Sequence, residues 1–187
     1  DIQFQMGVSA RVVDLIGDNV DCVVRGGGIN DQSLIARHVG DLQIGVYVAP
    51  SYVERLGAPA HPRELENTDH RIVGFLSSRT GKIDPLVLNG ESERIEITGS
   101  YVLAGDDGNA YLEAGLAGLG VIALPVYMAA AHQACGSLIP LFENWRIDPM
   151  PLYLAFPPNR HVNVKLRVFI DWIVELMQQH VPTSTHK

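Results

Sequence analysis

Short apolar runs alternate with helical segments along this chain, and this alternation leaves few possible folds. Residues 21–25 form a mostly apolar run that ends in three glycines at 26–28, as a buried strand does where the chain turns sharply. A second run at 42–49 leads into residues 50–57, which begin with a proline and end with a glycine, as short helices do. Strands that alternate with helices predict an α/β protein. With 187 residues, 47% of them hydrophobic, the chain can fill a substantial core.

The middle of the chain predicts an antiparallel hairpin followed by another strand and helix. Residues 84–89 and 94–98 read as strands, and the acidic segment at 90–93 separates them. After a short strand at 101–104, Asp106-Asp107-Gly108-Asn109 supplies N-cap residues for a small-residue helix over 110–117. Further apolar runs predict strands at 72–76, 121–124 and 137–140, and a helix from Pro125 to about Gly136.

The two ends of the chain add a strand and the clearest helix. Residues 2–6 alternate apolar and polar side chains and predict a strand, with Ser9 as the candidate N-cap of a helix at 11–16. Near the C-terminus, an apolar strand at 152–156 precedes a helix that Asn163 caps. One face of this last helix is apolar at three- and four-residue spacing. That face carries Leu166, Phe169, Ile170, Ile173 and Met177.

Composition and charge restrict the classes of function. The chain has 14 basic and 21 acidic residues, a formal net charge of −7 and a pI near 5.4, which disfavours binding of a nucleic-acid backbone by these residues. Two cysteines are too few for a disulfide scaffold, which suits a reducing compartment. No apolar run approaches 18 residues, so no membrane insertion is predicted. Because the chain lacks an initiator Met and its first residues already alternate, we expect it to be part of a longer protein.

Candidate catalytic and metal-binding patterns are weak. The seven histidines show neither HxxxH nor HExxH spacing and there is no GxSxG motif, so no metal, no cofactor and no enzymatic activity are predicted. The glycines at 115–120 follow a helix with GxxGxG spacing, which favours tight helix–strand packing over a phosphate loop. Asp106 and Asp107 at a helix start favour a cap over an acid–base pair. Cys22 lies in a predicted buried strand, where a thiolate is disfavoured.

Two polar segments have open interpretations as ligand sites. Arg25, followed by glycines at the end of a strand, is either a ligand contact of the kind that open α/β sheets place there or a solvated arginine beside a plain turn. The segment at 77–82 contains Arg79 and Lys82 beside hydroxyl groups, and these cations could hold an anion. A solvated loop is the favoured interpretation of that segment.

A set of short segments, in order over nearly the whole chain, carries a family resemblance. They lie at residues 21–27, 31–40, 49–53, 57–59, 117–125, 136–138 and 165–171. Taken together they resemble the C-terminal effector-binding domain of LysR-type transcriptional regulators. Each segment is weak by itself, but their joint order and spacing are specific.

The resemblance implies a type 2 periplasmic-binding-protein-like fold, in which two crossover strands join two α/β lobes around a small ligand. Lobe one would comprise residues 1–70 and 157–181, and lobe two residues 71–156 including the crossover strands. Residues 182–187 would form a flexible tail. Relative to the family, we expect the winged helix-turn-helix, the linker helix and the first βα unit to be absent.

The effector contacts implied by the resemblance are carried over by position. They are Val8, Ser9, Arg25, Gly26, Gly74, Phe75, Ser77, Asp107 and Asn109. The side chains of Ser9, Ser77 and Asn109 would donate hydrogen bonds, Phe75 would cover an apolar part, and Arg25 would pair with a carboxylate. Amide groups at a helix N-terminus also favour anionic groups, so a small anionic metabolite is the expected effector.

The resemblance further implies partners and leaves two alternatives. A cytoplasmic homodimer or homotetramer would bind the effector and would contact DNA only through the missing N-terminal domain, without a membrane partner. One alternative is a transporter's solute-binding protein with the same fold. The other is an enzyme that uses the same cleft, for which the sequence offers no base and nucleophile pair.

Overall fold

The computed structural model describes most of the chain, and the chain divides into two compact units. Unit one comprises Asp1–Leu42 and Pro149–Lys187, and unit two comprises Gln43–Asp148. The described residues are 3–9, 14–15, 17–28, 31, 33–67, 69–77, 80–158 and 164–180. The expected N-cap Asn163 lies outside the described residues, and so do residues 11–13 and 16 of the expected helix at 11–16. Residues 14 and 15 are described and belong to no helix.

The order of elements confirms a mixed α/β chain. The strands are β1 (Val23–Gly26), β2 (Ile35–Leu42), β3 (Ile44–Val48), β4 (Ile72–Phe75), β5 (Leu86–Asn89), β6 (Arg94–Ile97), β7 (Tyr101–Gly105), β8 (Ile122–Pro125), β9 (Ile139–Leu141) and β10 (Met150–Phe156). The helices are α1 (Pro50–Leu56), α2 (Glu64–Asn67), α3 (Gly108–Leu116), α4 (Val126–Ala134) and α5 (Val164–His180).

Unit one is an antiparallel sheet, in the order β1-β10-β2, covered by α5. The predicted apolar face of α5 supplies the cover, since Leu166 and Ile170 are buried against Leu154 and Phe156 of β10. Burial of such side chains contributes about 1.5–3 kcal/mol each, which explains why a helix with a charged outer face stays on the sheet. The amphipathic pattern read from the sequence is therefore confirmed.

The described residues of unit two form three small sheets around a shared core. Strand β3 pairs antiparallel with both β8 and β9, β5 pairs antiparallel with β6, and β4 pairs parallel with β7. An isolated bridge from Ile72 to Val121 links β4 to the chain just before β8. The core includes Tyr52 and Leu65 from the two short helices and Leu88 and Ile97 from the hairpin.

The glycines before β8 pack closely, as the sequence predicted. A Cβ on Gly115 would overlap the side chain of Ile122, and a Cβ on Gly120 would lie 2.8 Å from the backbone carbon of Ile72. Gly118 has a φ of 71°, a conformation that favours glycine. These glycines let α3 and β4 pack closely against β8 and the residues just before it. Close packing therefore accounts for the glycines without a phosphate-binding loop.

Two local predictions differ from the structure. Residues 3–9 belong to no strand among the described residues, although they alternate. Phe4 instead packs beside Phe169 of α5, with ring centroids 5.4 Å apart. The second difference is strand β2, which the sequence pattern does not predict. Its first half is exposed and includes Arg37 and His38, so it lacks the alternation of apolar and polar residues that marks a half-buried strand. Pairing with β10 from Met150↔Leu42 to Phe156↔Ile35 holds it in place.

The two units also differ from the predicted lobe limits. The chain passes between units at Leu42 and Gln43, and again at Asp148 and Pro149, whereas the sequence-based limits were 70/71 and 156/157. The predicted crossover strand β4 pairs with β7 inside unit two. Strand β10 pairs on both sides inside unit one. The hydrogen-bonded partners of these strands, which the apolar pattern does not reveal, decide to which unit they belong.

Candidate functional site

The parallel strands β4 and β7 end side by side and create a candidate ligand edge in unit two. Phe75 is in register with Gly105, and the Leu76 N–H donates to the Gly105 carbonyl oxygen at 2.8 Å. Helix α3 begins a few residues later at Gly108. Open α/β sheets bind ligands outside the carboxyl ends of their parallel strands. The edge formed by β4, β7 and the start of α3 is therefore a candidate ligand-binding region.

A cavity of about 240 Å³ opens beside β4. It is lined by β4 itself, by the first residues of the hairpin and the segment before them, by Tyr111 of α3, and by residues 147–148. The rings of Phe75 and Tyr111 meet edge to face, with centroids 5.3 Å apart, and Phe75 is 37% exposed. Apolar cavities with a few polar groups are typical of small-molecule sites.

Tyr111 is a fixed and neutral part of this wall. The residue is 7% exposed, and its hydroxyl oxygen accepts a hydrogen bond from the Ala123 N–H of β8 at 3.0 Å. Burial raises the pKa of Tyr111 to about 12, because the phenolate loses its hydration, while the Ala123 hydrogen bond opposes this shift. The ring thus offers an aromatic surface without a charge at physiological pH.

Two acidic residues, Asp84 and Asp148, are among the residues that line the cavity, and both are exposed. The Asp84 N–H donates to the Phe75 carbonyl oxygen at 2.9 Å, which holds Asp84 beside the end of β4. Asp148 Oδ1 accepts from Asn89 Nδ2 at 3.1 Å. Both acids line the cavity, and no Lys, Arg or His among the described residues does so.

Of the predicted contacts in unit two, Gly74 and Phe75 line the cavity, and Ser77 lies just beyond it. Gly74 is buried, and a Cβ there would lie 2.9 Å from Ile83 Cδ1, so its first role is close packing. Ser77 closes a turn: its N–H donates to the Lys82 carbonyl and its carbonyl accepts from the Gly81 N–H, each at 2.8 Å. Arg79 and the residue before it lie outside the described residues.

Asp107 and Asn109 lie at the start of α3, where the sequence placed a cap and a possible anion site. The cap is confirmed, since Asp107 Oδ1 accepts from the N–H groups of Asn109 at 3.0 Å and Ala110 at 2.8 Å. These amides are therefore already satisfied, and the cap carries a negative charge. The expected attraction of an anion to this helix start is opposed for that reason.

The remaining predicted contacts belong to unit one. Val8 and Ser9 are exposed and lie outside any described strand or helix. Arg25 and Gly26 are half-buried in β1, in register with Tyr153 and Leu152. A Cβ on Gly26 would lie 2.9 Å from the Met150 side chain, so this glycine also serves packing. Their role in effector binding stays a prediction.

Other titratable groups form no chemical site among the described residues. No group of three His, Cys, Asp or Glu side chains there could hold a metal ion. His38 Nε2 lies 2.9 Å from Asp41, and the half-buried His70 accepts or donates a hydrogen bond with the Tyr52 hydroxyl at 3.0 Å. Cys22, predicted inside a buried strand, lies just before β1 and is half-buried, and this partial burial raises the pKa of its thiol.

Sequence reasoning missed Asp84, Tyr111 and Asp148 as parts of the site. Tyr111 had a usable signal, because it is an aromatic residue in an otherwise small-residue helix that follows a strand. Asp84 and Asp148 had none, since each is an ordinary acid in a loop next to a strand. Pairing between distant strands brings them to the cavity.

Comparisons with known proteins agree with the fold. A family model described as the LysR substrate binding domain matches residues 1–178. An HTH-type transcriptional repressor of Pseudomonas aeruginosa is 29% identical over 179 residues, and the match covers 96% of this chain and 56% of the relative. The HTH-type transcriptional regulator YhjC of Escherichia coli is 30% identical over 183 residues, covering 96% and 60%.

Solved structures show the same architecture. The regulatory domain of CrgA, a LysR-type transcriptional regulator from Neisseria meningitidis, has a TM-score of 0.75 at 28% identity and covers 88% of this chain and 79% of that one. Full-length AphB from Vibrio cholerae has a TM-score of 0.76 at 24% identity, covering 95% and 59%, and supports the fold. The chain spans little more than half the length of the two curated relatives. Among the described residues, no helix combines the length and apolar character that crossing a membrane requires.

Proposed function

The chain belongs to the LysR substrate binding domain family, and we propose that it senses a small molecule in the cavity beside β4 and so controls a longer transcriptional regulator. The observation that carries this proposal is the cavity of about 240 Å³ beside Phe75 and Tyr111. The cavity runs along β4 and includes Phe75, the last residue of that strand, and α/β sheets bind ligands near the carboxyl ends of such strands. Phe75 and Gly74 are the predicted contacts that line it.

The mechanism requires binding without chemistry. A ligand that binds one conformation of the protein better than another shifts their populations, and this shift is the signal. The family relationship supports a role in regulation, and we propose that the domain catalyses no reaction. We also propose that the regulator works in the cytoplasm as a homodimer or homotetramer and contacts DNA through a separate N-terminal domain, in keeping with the HTH-type relatives.

The test is a thermal-shift screen of small metabolites against this chain and against the longer regulator. A compound at 100 times its Kd should stabilise the fold by about 2.7 kcal/mol. For a domain of this size the melting temperature should then rise by roughly 5–11 °C. The same compound should change the DNA affinity of the longer regulator.

Phe75→Ala provides the matched variant, because it removes one wall of the cavity at a partly exposed position. The ligand-induced shift should fall strongly in this variant. Tyr127→Ala is the control, since Tyr127 is 61% exposed on α4 and does not line the cavity. A screen in which no small molecule changes either melting or DNA affinity would refute the proposed function.

A further inference from the structure

The charge of the unit-two cavity indicates the chemical class of its ligand. Its lining combines apolar and aromatic side chains with two acids, Asp84 and Asp148. None of the described ion pairs involves either acid. A negative ligand placed there would meet two like charges and a net charge of −7 on the chain. A positive ligand would meet opposite charges.

Backbone contacts fix where the two acids lie. The hydrogen bond from the Asp84 N–H to the Phe75 carbonyl sets Asp84 next to the aromatic wall. On the other side, Asn89 and Arg146 exchange two backbone hydrogen bonds, of 2.7 and 2.9 Å, and Asn89 Nδ2 then donates to Asp148. That contact occupies Asp148 Oδ1 and leaves the second carboxylate oxygen as an acceptor. The backbone of Asp84 and one carboxylate oxygen of Asp148 are thus held in place before any ligand arrives.

The aromatic wall favours the same charge. A cation near the face of an aromatic ring is attracted by the ring quadrupole. Phe75, which is partly exposed, and Tyr111, which stays a neutral phenol, both line the cavity. Carboxylates together with aromatic faces are a combination that binds ammonium groups, whereas it offers nothing to a carboxylate.

We propose that this cavity binds a small organic cation, an amine with an apolar or aromatic body, whose ammonium group lies at Asp84 and Asp148. The volume of about 240 Å³ is below the range of about 300–1,000 Å³ that holds drug-sized ligands, so the cation is small. This inference rests on the proposed function and names the ligand class of that site. It departs from the sequence-based expectation of an anionic effector.

The test compares two probes of similar shape and opposite charge, 2-phenylethylamine and 3-phenylpropanoate, by calorimetric titration of the intact chain at pH 7. The amine should bind and the carboxylate should not bind measurably. Asp84→Asn and Asp148→Asn should each weaken amine binding about 10-fold, because each removes a charge-assisted contact. Asp148→Asn keeps an amide oxygen as an acceptor, so the hydrogen bond from Asn89 can persist in that variant.

Asp106→Asn is the control, since it removes the same charge from an exposed acid of unit two that does not line the cavity. Its amine affinity should stay within twofold of the parent chain. Binding of the carboxylate as tight as that of the amine, amine binding unchanged in both cavity variants, or no amine binding at all would overturn the inference. If the amine experiment fails but the metabolite screen still yields a stabilising compound, the proposed sensing function is kept and only the cationic ligand class is rejected. If the screen yields no such compound, the proposed function is rejected as well.

Discussion

Replacing Tyr111 by phenylalanine tests the buried wall of the candidate site. The substitution keeps the ring and removes the hydroxyl oxygen that accepts the Ala123 N–H at 3.0 Å. A hydrogen-bond donor left without a partner in a buried setting costs about 1–3 kcal/mol. The melting temperature should therefore fall by about 2–4 °C for each kcal/mol lost.

The pH dependence of this loss gives a sharper result. Burial raises the pKa of Tyr111 from 10.0 to about 12, so the folded protein keeps its proton where the unfolded chain has released it. The stability that this neutral phenol provides is complete below pH 10 and is lost as the pH rises through 10 to 12, with a full value of roughly 3 kcal/mol. At pH 11 the loss has reached roughly 1 kcal/mol.

Urea denaturation of the parent chain and Tyr111→Phe at pH 8 and pH 11 measures this difference. The variant cannot ionise at this position. The difference in unfolding free energy between the parent chain and Tyr111→Phe should therefore be smaller at pH 11 than at pH 8, by roughly 1 kcal/mol. Tyr127→Phe, at an exposed position of α4, should show neither effect. A gap for Tyr111→Phe that is equal at both pH values would refute the view that its phenol is buried and neutral.

Three further predictions concern the cap, the close packing and the thiols. Asp107→Ala should lower the unfolding free energy, measured by urea denaturation, by about 1 kcal/mol, because alanine lacks a capping oxygen. Asp107→Asn keeps a capping oxygen and should lose much less, so equal losses in the two variants would contradict the prediction. Gly120→Ala should cost about 1–3 kcal/mol because its Cβ meets backbone atoms of β4, whereas Gly108→Ala, which meets nothing within 4 Å, should cost far less. Iodoacetamide should label Cys135 before Cys22 in the native chain, as measured by peptide mass spectrometry. Hydrogen bonds involving Ser137 lower the pKa of the exposed Cys135 thiol, whereas burial raises the pKa of the Cys22 thiol. Faster labelling of Cys22 would contradict this prediction.

Much of the fold could be predicted because its signals are local. Helix α1 begins at Pro50 and ends at Gly57, whose φ is 77°, and both residues supply the backbone conformation needed at those positions. The hairpin β5–β6 and the cap at Asp107 likewise depend on partners a few residues away. Strand β2 escaped prediction because its stability comes from β10, far away in the sequence.

The α/β class, the family resemblance and most of the helices and strands follow from local signals in the amino-acid sequence, since capping, turn chemistry and amphipathic spacing act between near neighbours. The division into units and the set of residues that line the cavity depend instead on tertiary pairing. Phe75, Tyr111 and Asp148 meet there because β4 pairs with β7 and because Asn89 holds the chain at Arg146. Such pairings join distant segments through backbone hydrogen bonds that every residue except proline can form, so the sequence alone does not specify them. For the same reason the acids of this cavity, and with them the charge of its proposed ligand, emerged only from the folded chain.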